Sequence, residues 1–208
     1  MGVDAVMPAA VRPAAVRPAA VGPAAVRPAA VKPAAVFLDR DGVLNEAIVR
    51  DGKPYPPGSL DELIIAPGAR EALERLKAAS YRLVVVTNQP DVATGAQRRE
   101  VVEQINAALA AALPLDEVRV CYHDDRAACA CRKPAPGLLL QPPAHDLPHS
   151  VMVGDRWRDV EAAARAGVGA CVLIDRAYRE QMTVEPDVRV RTLTEAADWI
   201  LRHRIGVS

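Results

Sequence analysis

Val36-Phe-Leu-Asp39-Arg40-Asp41-Gly42-Val-Leu-Asn45 is the stretch around which the rest of the chain arranges itself. An apolar run that ends in two carboxylates and a glycine reads as a buried β-strand whose C-terminal end turns sharply. Alternate residues of an extended backbone point the same way, so Asp39 and Asp41 project into one site while Arg40 points elsewhere. Gly42 permits the turn. Two neighbouring carboxylates resist joint ionisation unless a cation lies between them or one holds a proton. A hard-metal site, an acid paired with a nucleophile, or both, fit this pair. Taken alone, Asp-x-Asp-Gly also fits a polar turn after a strand, so the remainder of the chain decides.

That remainder alternates strands with helices. A hairpin-like flap with turn signals at Asp51-Gly52 and Tyr55-Pro-Pro-Gly58 occupies Asn45 to Ser59. Pro67-Gly68 opens a helix with Ala69, Leu73 and Leu76 on one apolar face. The run from Arg82 to Val86 is a buried strand ending in Thr87-Asn88-Gln89. A helix from about Ala96 to Leu113 turns Val102, Ile105 and Leu109 inward, and Val118 to Tyr122 is the next strand. Ser150 to Asp155 is another strand ending in Gly-Asp. The helix after it carries Val160 and Ala164 and closes at Gly167, and Cys171 to Ile174 follows as a strand. Thr192-Leu-Thr-Glu195 forms a capping box for a last helix that buries Ala197, Ile200 and Leu201. This alternation predicts an α/β fold: a single Rossmann-like parallel sheet with right-handed crossovers, helices on both faces and no large cap domain. Ligands of such sheets sit beyond the carboxyl ends of the strands, where Asp39, Asp41, Thr87, Asn88 and Asp155 converge, with Lys133 close by.

The 208 residues are 50% hydrophobic and 25% charged, enough for one core. Lys plus Arg equals Asp plus Glu, 26 each, so nothing in the charge balance points to nucleic acid. No apolar run is long enough for a bilayer and no secretory leader is evident, which predicts a cytoplasmic protein with no membrane partner. A monomer is expected. Residues 1–35 are a different material: Pro-Ala-Ala-Val-Arg repeats with period five, and Pro8, Pro13, Pro18, Pro23, Pro28 and Pro33 interrupt any helix. A mobile, partly polyproline-II tail is expected there, either a low-complexity extension without catalytic relevance or a tether or basic docking arm, ahead of a catalytic domain over 36–208.

A second constellation is Cys121-Tyr-His123 followed by Cys129-Ala-Cys131-Arg132-Lys133-Pro134. A Cys-x-His and a Cys-x-Cys pair across a short loop offer four ligands with the spacing of a closed, tetrahedral zinc site, structural rather than catalytic. Zn2+ there would form a small metal-bound loop and pin Lys133. Cys171, in mid-strand, reads as core, and His145, His149 and His203 read as surface residues.

Asp39-x-Asp41-Gly42, Thr87-Asn88, Lys133-Pro134 and Gly154-Asp155-x-x-x-Asp159, in that order, resemble the four motifs of the haloacid dehalogenase superfamily of phosphatases. The resemblance runs from Val36 to about Asp175. It implies that Asp39 attacks phosphorus and that Asp41 works as general acid and then base. It further implies Mg2+ held by the side chains of Asp39 and Asp155 and the backbone carbonyl of Asp41. Lys133 would neutralise charge, and the Thr87 hydroxyl would bond a phosphoryl oxygen. Asp159 suits either support of the metal site or a helix N-terminus.

The zinc loop and the lack of a large cap resemble the heptose 1,7-bisphosphate phosphatases and the histidinol-phosphate phosphatases. This implies a small phosphorylated metabolite as substrate, with Asn88, Gln89 and Arg132 touching it. Three features depart from the heptose pattern, one being the Pro-rich segment from Gln141 to Pro148, abbreviated where a helix is expected. Pro90-Asp91-Val-Ala-Thr94-Gly95 carries an acid and lacks a basic residue, and the loop between His123 and Cys129 is short. Asp91, Asp124 and Asp125 would suit the cationic histidinol phosphate. A non-catalytic scaffold, the third reading, conflicts with four intact motifs.

Overall fold

Alternate side chains of β1 (Ala35–Leu38) enter two different cores: Val36 and Leu38 one, Ala35 and Phe37 the other. That two-sided burial is what a central parallel strand requires. The computed structural model describes residues 1–2 and 32–203, and most of the tail expected over residues 1–35 lies outside the described residues. From Lys32 onward the chain forms one compact unit. Its edge falls a few residues ahead of the expected Val36: the Pro33 carbonyl accepts a hydrogen bond from Asp146 N at 3.1 Å, and that of Ala34 one from Arg82 N at 3.0 Å.

β2 (Ile48–Arg50) and β3 (Lys53–Tyr55) form the antiparallel flap, turned by Asp51 and Gly52, both with positive φ. α1 (Ala69–Ala78) then leads to β4 (Arg82–Asn88). The helix expected from Ala96 is two pieces: one turn, α2 (Asp91–Thr94), closed by Gly95, and α3 (Arg99–Ala112). β5 (Glu117–Cys121) and the single turn α4 (Gly137–Leu140) follow, then β6 (Val151–Gly154) and α5 (Trp157–Ala166). Ala164 is exposed, and Ala162 and Ala163 share the buried face with Val160. β7 (Ala170–Ile174), β8 (Val188–Val190) and α6 (Leu193–His203) complete the unit. Ahead of α6, Thr192 Oγ1 accepts Glu195 N as expected, but Glu195 reaches back to Arg191 N rather than to the cap residue itself.

The sheet order is β5-β4-β1-β6-β7-β8, all parallel. Chain order runs outward from β1 through β4 to β5, then restarts on its other side with β6. Strand order therefore reverses at β1, and a crevice opens beyond the carboxyl ends of β1, β4 and β6. Residues from α1, α3 and α6 fill one core, and residues from α4 and α5 the other. No helix among the described residues is long and apolar enough to cross a membrane.

His145 corrects an expectation. It is only 6% exposed, edge-on to the Phe37 ring at 5.6 Å, with Nε2 3.2 Å from Arg119 Nη2. The Pro-rich segment folds down over β1 and β5, and burial together with the Arg119 charge pushes the imidazole below its usual pKa. His149 and His203 are exposed, and Cys171 is buried.

Candidate active site

β1 delivers Asp39 to the crevice and its amide donates to Val153 O of β6 at 2.9 Å, so the sheet itself fixes where the carboxylate stands. Lys133 Nζ lies 2.9 Å from Asp39 Oδ1 and 2.6 Å from Asp159 Oδ1, and donates to Val86 O at 2.7 Å. This ammonium is 2% exposed. Burial acts to lower its pKa, but Asp159 and Asp39 outweigh burial and hold it charged. Asp159, whose role the sequence left open, does two things. Its Oδ2 accepts the amides of Asp155 and Arg156 at the start of α5, and its Oδ1 pairs with Lys133.

Asp41 stands in a clamp of donors. Arg40 Nη2 approaches its Oδ2 at 3.0 Å, Gln89 Nε2 at 2.8 Å, and Asn45 Nδ2 reaches Oδ1 at 3.0 Å. Arg40 is fully buried and also donates to Asn106 of α3, so α3 orients Asp41 through it. Neither Arg40 nor Asn45 was assigned a role from sequence. Their partners become visible only when the turn after β1 folds back and α3 packs beside it.

Asp155 directly follows β6, 5% exposed, with both carboxylate oxygens buried and the Tyr178 hydroxyl as its hydrogen-bonding neighbour. Ligand oxygens of Asp39, Asp155 and Asp159 lie within 4.8 Å of one another. Burial pushes Asp39 up to about 6, against the pull of Lys133. Burial, then the Asp39 and Asp159 charges, raises Asp155 further. Three packed carboxylates served by one ammonium are short of positive charge and make a hard, oxygen-rich donor set that suits Mg2+. Gly42 is required beside them: its φ is +85° and an added Cβ would fall 1.9 Å from Asp155 Oδ2.

The crevice is a cavity of about 180 Å³, walled by Asp39, Asp41, Thr87, Lys133 and Asp155, and roofed by Pro54, Tyr55 and Pro56 of the flap. Asn88 lines it, but both ends of its amide are spent on the Lys133 backbone, at 2.9 and 3.0 Å. Gln89, expected to meet substrate, is 1% exposed and donates to Asp41 and to Thr87 Oγ1. Arg132, given the same expectation, bonds Asp125 at 2.8 Å and is not among the residues that wall the cavity. Hydrogen bonds from Arg132 and then Arg158 draw the Asp125 carboxyl down to about 2. Two residues that do wall the cavity, Arg156 and Arg158, were missed. Of the three acids proposed for a cationic substrate, Asp91 faces this cavity and Asp124 and Asp125 line a separate depression.

Cys121 at the end of β5, His123, Cys129 and Cys131 bring four ligand atoms together. Sulfur pairs are 3.2 to 3.7 Å apart and His123 Nδ1 is 3.3 Å from Cys131 Sγ. A tetrahedron with metal–sulfur bonds of about 2.3 Å has edges of about 3.7 Å, so the set fits one Zn2+. Burial works to raise Cys129, but hydrogen bonds from Cys131 and from nearby backbone amides draw its thiol down to about 7. Burial pushes Cys121 up to about 12. Thiolates sharing one site need a cation between them.

Residues 55–167 match the family described as haloacid dehalogenase-like hydrolase. The chain belongs to that family. Among its relatives, the D-glycero-beta-D-manno-heptose-1,7-bisphosphate 7-phosphatase of Salmonella typhi is 36% identical over 183 residues, 80% of this chain and 88% of the relative. The D-glycero-alpha-D-manno-heptose-1,7-bisphosphate 7-phosphatase of Mycobacterium tuberculosis is 37% identical over 150 residues, covering 67% and 77%. The D,D-heptose 1,7-bisphosphate phosphatase of B. bronchiseptica, solved with magnesium and phosphate, superposes with a TM-score of 0.69 at 32% identity, covering 82% of this chain and 99% of that one. As a haloacid dehalogenase-like hydrolase with these relatives, the chain is a phosphatase.

Proposed function

We propose that this chain is a Mg2+-dependent phosphomonoesterase that removes the C7 phosphate of D-glycero-D-manno-heptose 1,7-bisphosphate through a phosphorylated Asp39. The observation that carries the reading is the buried carboxylate cluster of Asp39, Asp155 and Asp159 with Lys133 at its centre, at the strand-order reversal. The relatives and the solved neighbour supply the substrate.

Asp39 attacks phosphorus in line with the ester oxygen, and a carboxylate–phosphorus bond forms as the phosphorus–oxygen bond to C7 breaks. Asp41 gives a proton to the departing alkoxide. Its partners in this structure all donate to it, which is the state that takes a proton from water in the second half-reaction, when water displaces Asp39 from phosphorus. Lys133 spreads the charge of nucleophile and phosphoryl group, and Thr87, whose oxygen accepts from Gln89, keeps its hydroxyl proton for a phosphoryl oxygen. The Asp39 and Asp155 carboxylates and the Asp41 carbonyl would hold Mg2+, which would supply the positive charge that lets a carboxylate approach a phosphate dianion. Cys121, His123, Cys129 and Cys131 would hold Zn2+, which would tie the Lys133 loop to β5. The tail over residues 1–35 takes no part.

Phosphate release from both anomers of the bisphosphate, histidinol phosphate and other small esters tests this. One heptose anomer is the preferred substrate. Preference for histidinol phosphate would keep the chemistry and overturn the substrate, and no release by folded, metal-loaded protein would favour the scaffold reading.

A further inference from the structure

The cavity is acidic where it is deepest. Asp39, Asp41, Asp155 and Asp159 line it and Asp91 stands on its wall, against Lys133, Arg156 and Arg158. A ligand with a second phosphate brings two more negative charges and needs a cation away from the reacting centre. Lys133 is committed to Asp39 and Asp159. Arg156 is committed as well, with both Nε and Nη2 on Glu180. Arg158 is differently placed. It sits in the first turn of α5, a quarter exposed, with its guanidinium 5.1 Å over the Trp157 ring and Nη1 3.1 Å from Asp125 Oδ1. That same oxygen takes Arg132 at 2.8 Å, so one carboxylate serves two guanidinium groups and positive charge is left over at this edge. No other hydrogen bond of Arg158 is found among the described residues, which leaves N–H groups for a ligand.

We infer that Arg158 is the residue that binds the second, non-reacting phosphate of a bisphosphate substrate, with Asp125 as the positioning residue that holds its guanidinium at the cavity edge. The inference rests on the phosphatase reading above, but not on the sugar being a heptose. A guanidinium on a rigid helix, stacked on Trp157 and tethered from one side, presents its free edge with little ordering left to do. Asp125 belongs to the same loop as the four zinc-type ligands, so the loop that carries Lys133 also sets Arg158.

The test is the ratio of kcat/KM for a bisphosphate to kcat/KM for the matching monophosphate, measured with Mg2+ on wild type, Arg158→Ala and Arg158→Lys. Two sugar pairs are used: the heptose 1,7-bisphosphate with its 7-phosphate, and fructose 1,6-bisphosphate with its 6-phosphate. Loss of one charge-assisted contact lowers the ratio roughly 10- to 100-fold in Arg158→Ala, mostly through KM, and Arg158→Lys recovers part of it. If only the fructose pair is turned over and obeys this pattern, the heptose reading fails and the inference stands. A ratio unchanged in Arg158→Ala, an equal loss on both members of a pair, or no wild-type preference for any bisphosphate overturns the inference.

Discussion

Asp39 and Asp155 are carboxylates placed where carboxylates are uncomfortable, and that discomfort has a sign. Burial raises Asp39 to about 6 and Asp155 in the same direction. A group whose folded pKa lies above its unfolded value contributes stability fully below the unfolded pKa, about 4 for Asp. That contribution is lost as pH rises through the folded value, here about 6 for Asp39. A cation between the two carboxylates restores what is lost. Thermal unfolding with and without Mg2+ should therefore show a larger increase in Tm at pH 7.5 than at pH 5. Taking the difference removes His145, whose depressed pKa acts the other way, withdrawing stability as pH falls. Equal increments at both pH values would place the metal elsewhere.

Gln89 shows why one residue was misread. Thr87 and Gln89 are two apart at the end of an extended strand, so they share a direction: Gln89 donates to both Thr87 and Asp41, while Asn88 turns to the Lys133 backbone. The alternation that placed Asp39 beside Asp41 could have placed Gln89 too. Gln89→Ala should lower kcat about tenfold and leave KM nearly unchanged, since it orients acid–base machinery rather than substrate. A rise in KM at constant kcat would return Gln89 to the binding surface. Arg132 and Arg158 had no such signal, because the contact that joins them, Asp125, links the loop after β5 to the first turn of α5, two segments brought together only by folding.

At the scale of elements, the strand ends were legible because apolar runs and their polar termini are local. Short elements were not. β8 is three residues long and pairs with β7, and α2 is a single turn that splits the helix expected from Ala96. His145 was misplaced for a related reason: a Pro-rich segment reads as loop, yet Leu147 packs against the core that holds Phe37, and His145 lies edge-on to that ring beside Arg119. The four-ligand loop was legible from spacing. It runs without a break from β5 to Lys133, with Asn88 holding the far end. Cys129→Ser, or chelation of zinc, should lower Tm and reduce kcat together, with the loop from His123 to Arg132 gaining amide hydrogen exchange ahead of β1 and β6. Loss of Tm without faster exchange in that loop would make the cluster a remote staple.

For the whole molecule, the reversal of strand order at β1 gathers the ends of three strands into one crevice, and Pro54, Tyr55 and Pro56 of the small flap line it. The alternation of strands and helices announced this sheet. It could not announce how the flap would roof the cavity, which depends on the pairing of β2 with β3. The unit that carries the crevice begins at Lys32. A chain starting at Lys32 should keep the kinetic constants and Tm of the full chain. A fall in kcat/KM would assign the repeats a part in catalysis.

The central claim is that Asp39 carries the phosphoryl group in the course of Mg2+-dependent hydrolysis. Acid-quenched turnover of the heptose bisphosphate, followed by mass analysis of the peptide spanning Asp39, measures it directly. Phosphorylated Asp39 should appear with Mg2+, vanish with EDTA, and be absent along with phosphate release in Asp39→Asn. Sustained phosphate release by Asp39→Asn, with no phosphorylated peptide in the wild type, would contradict the account.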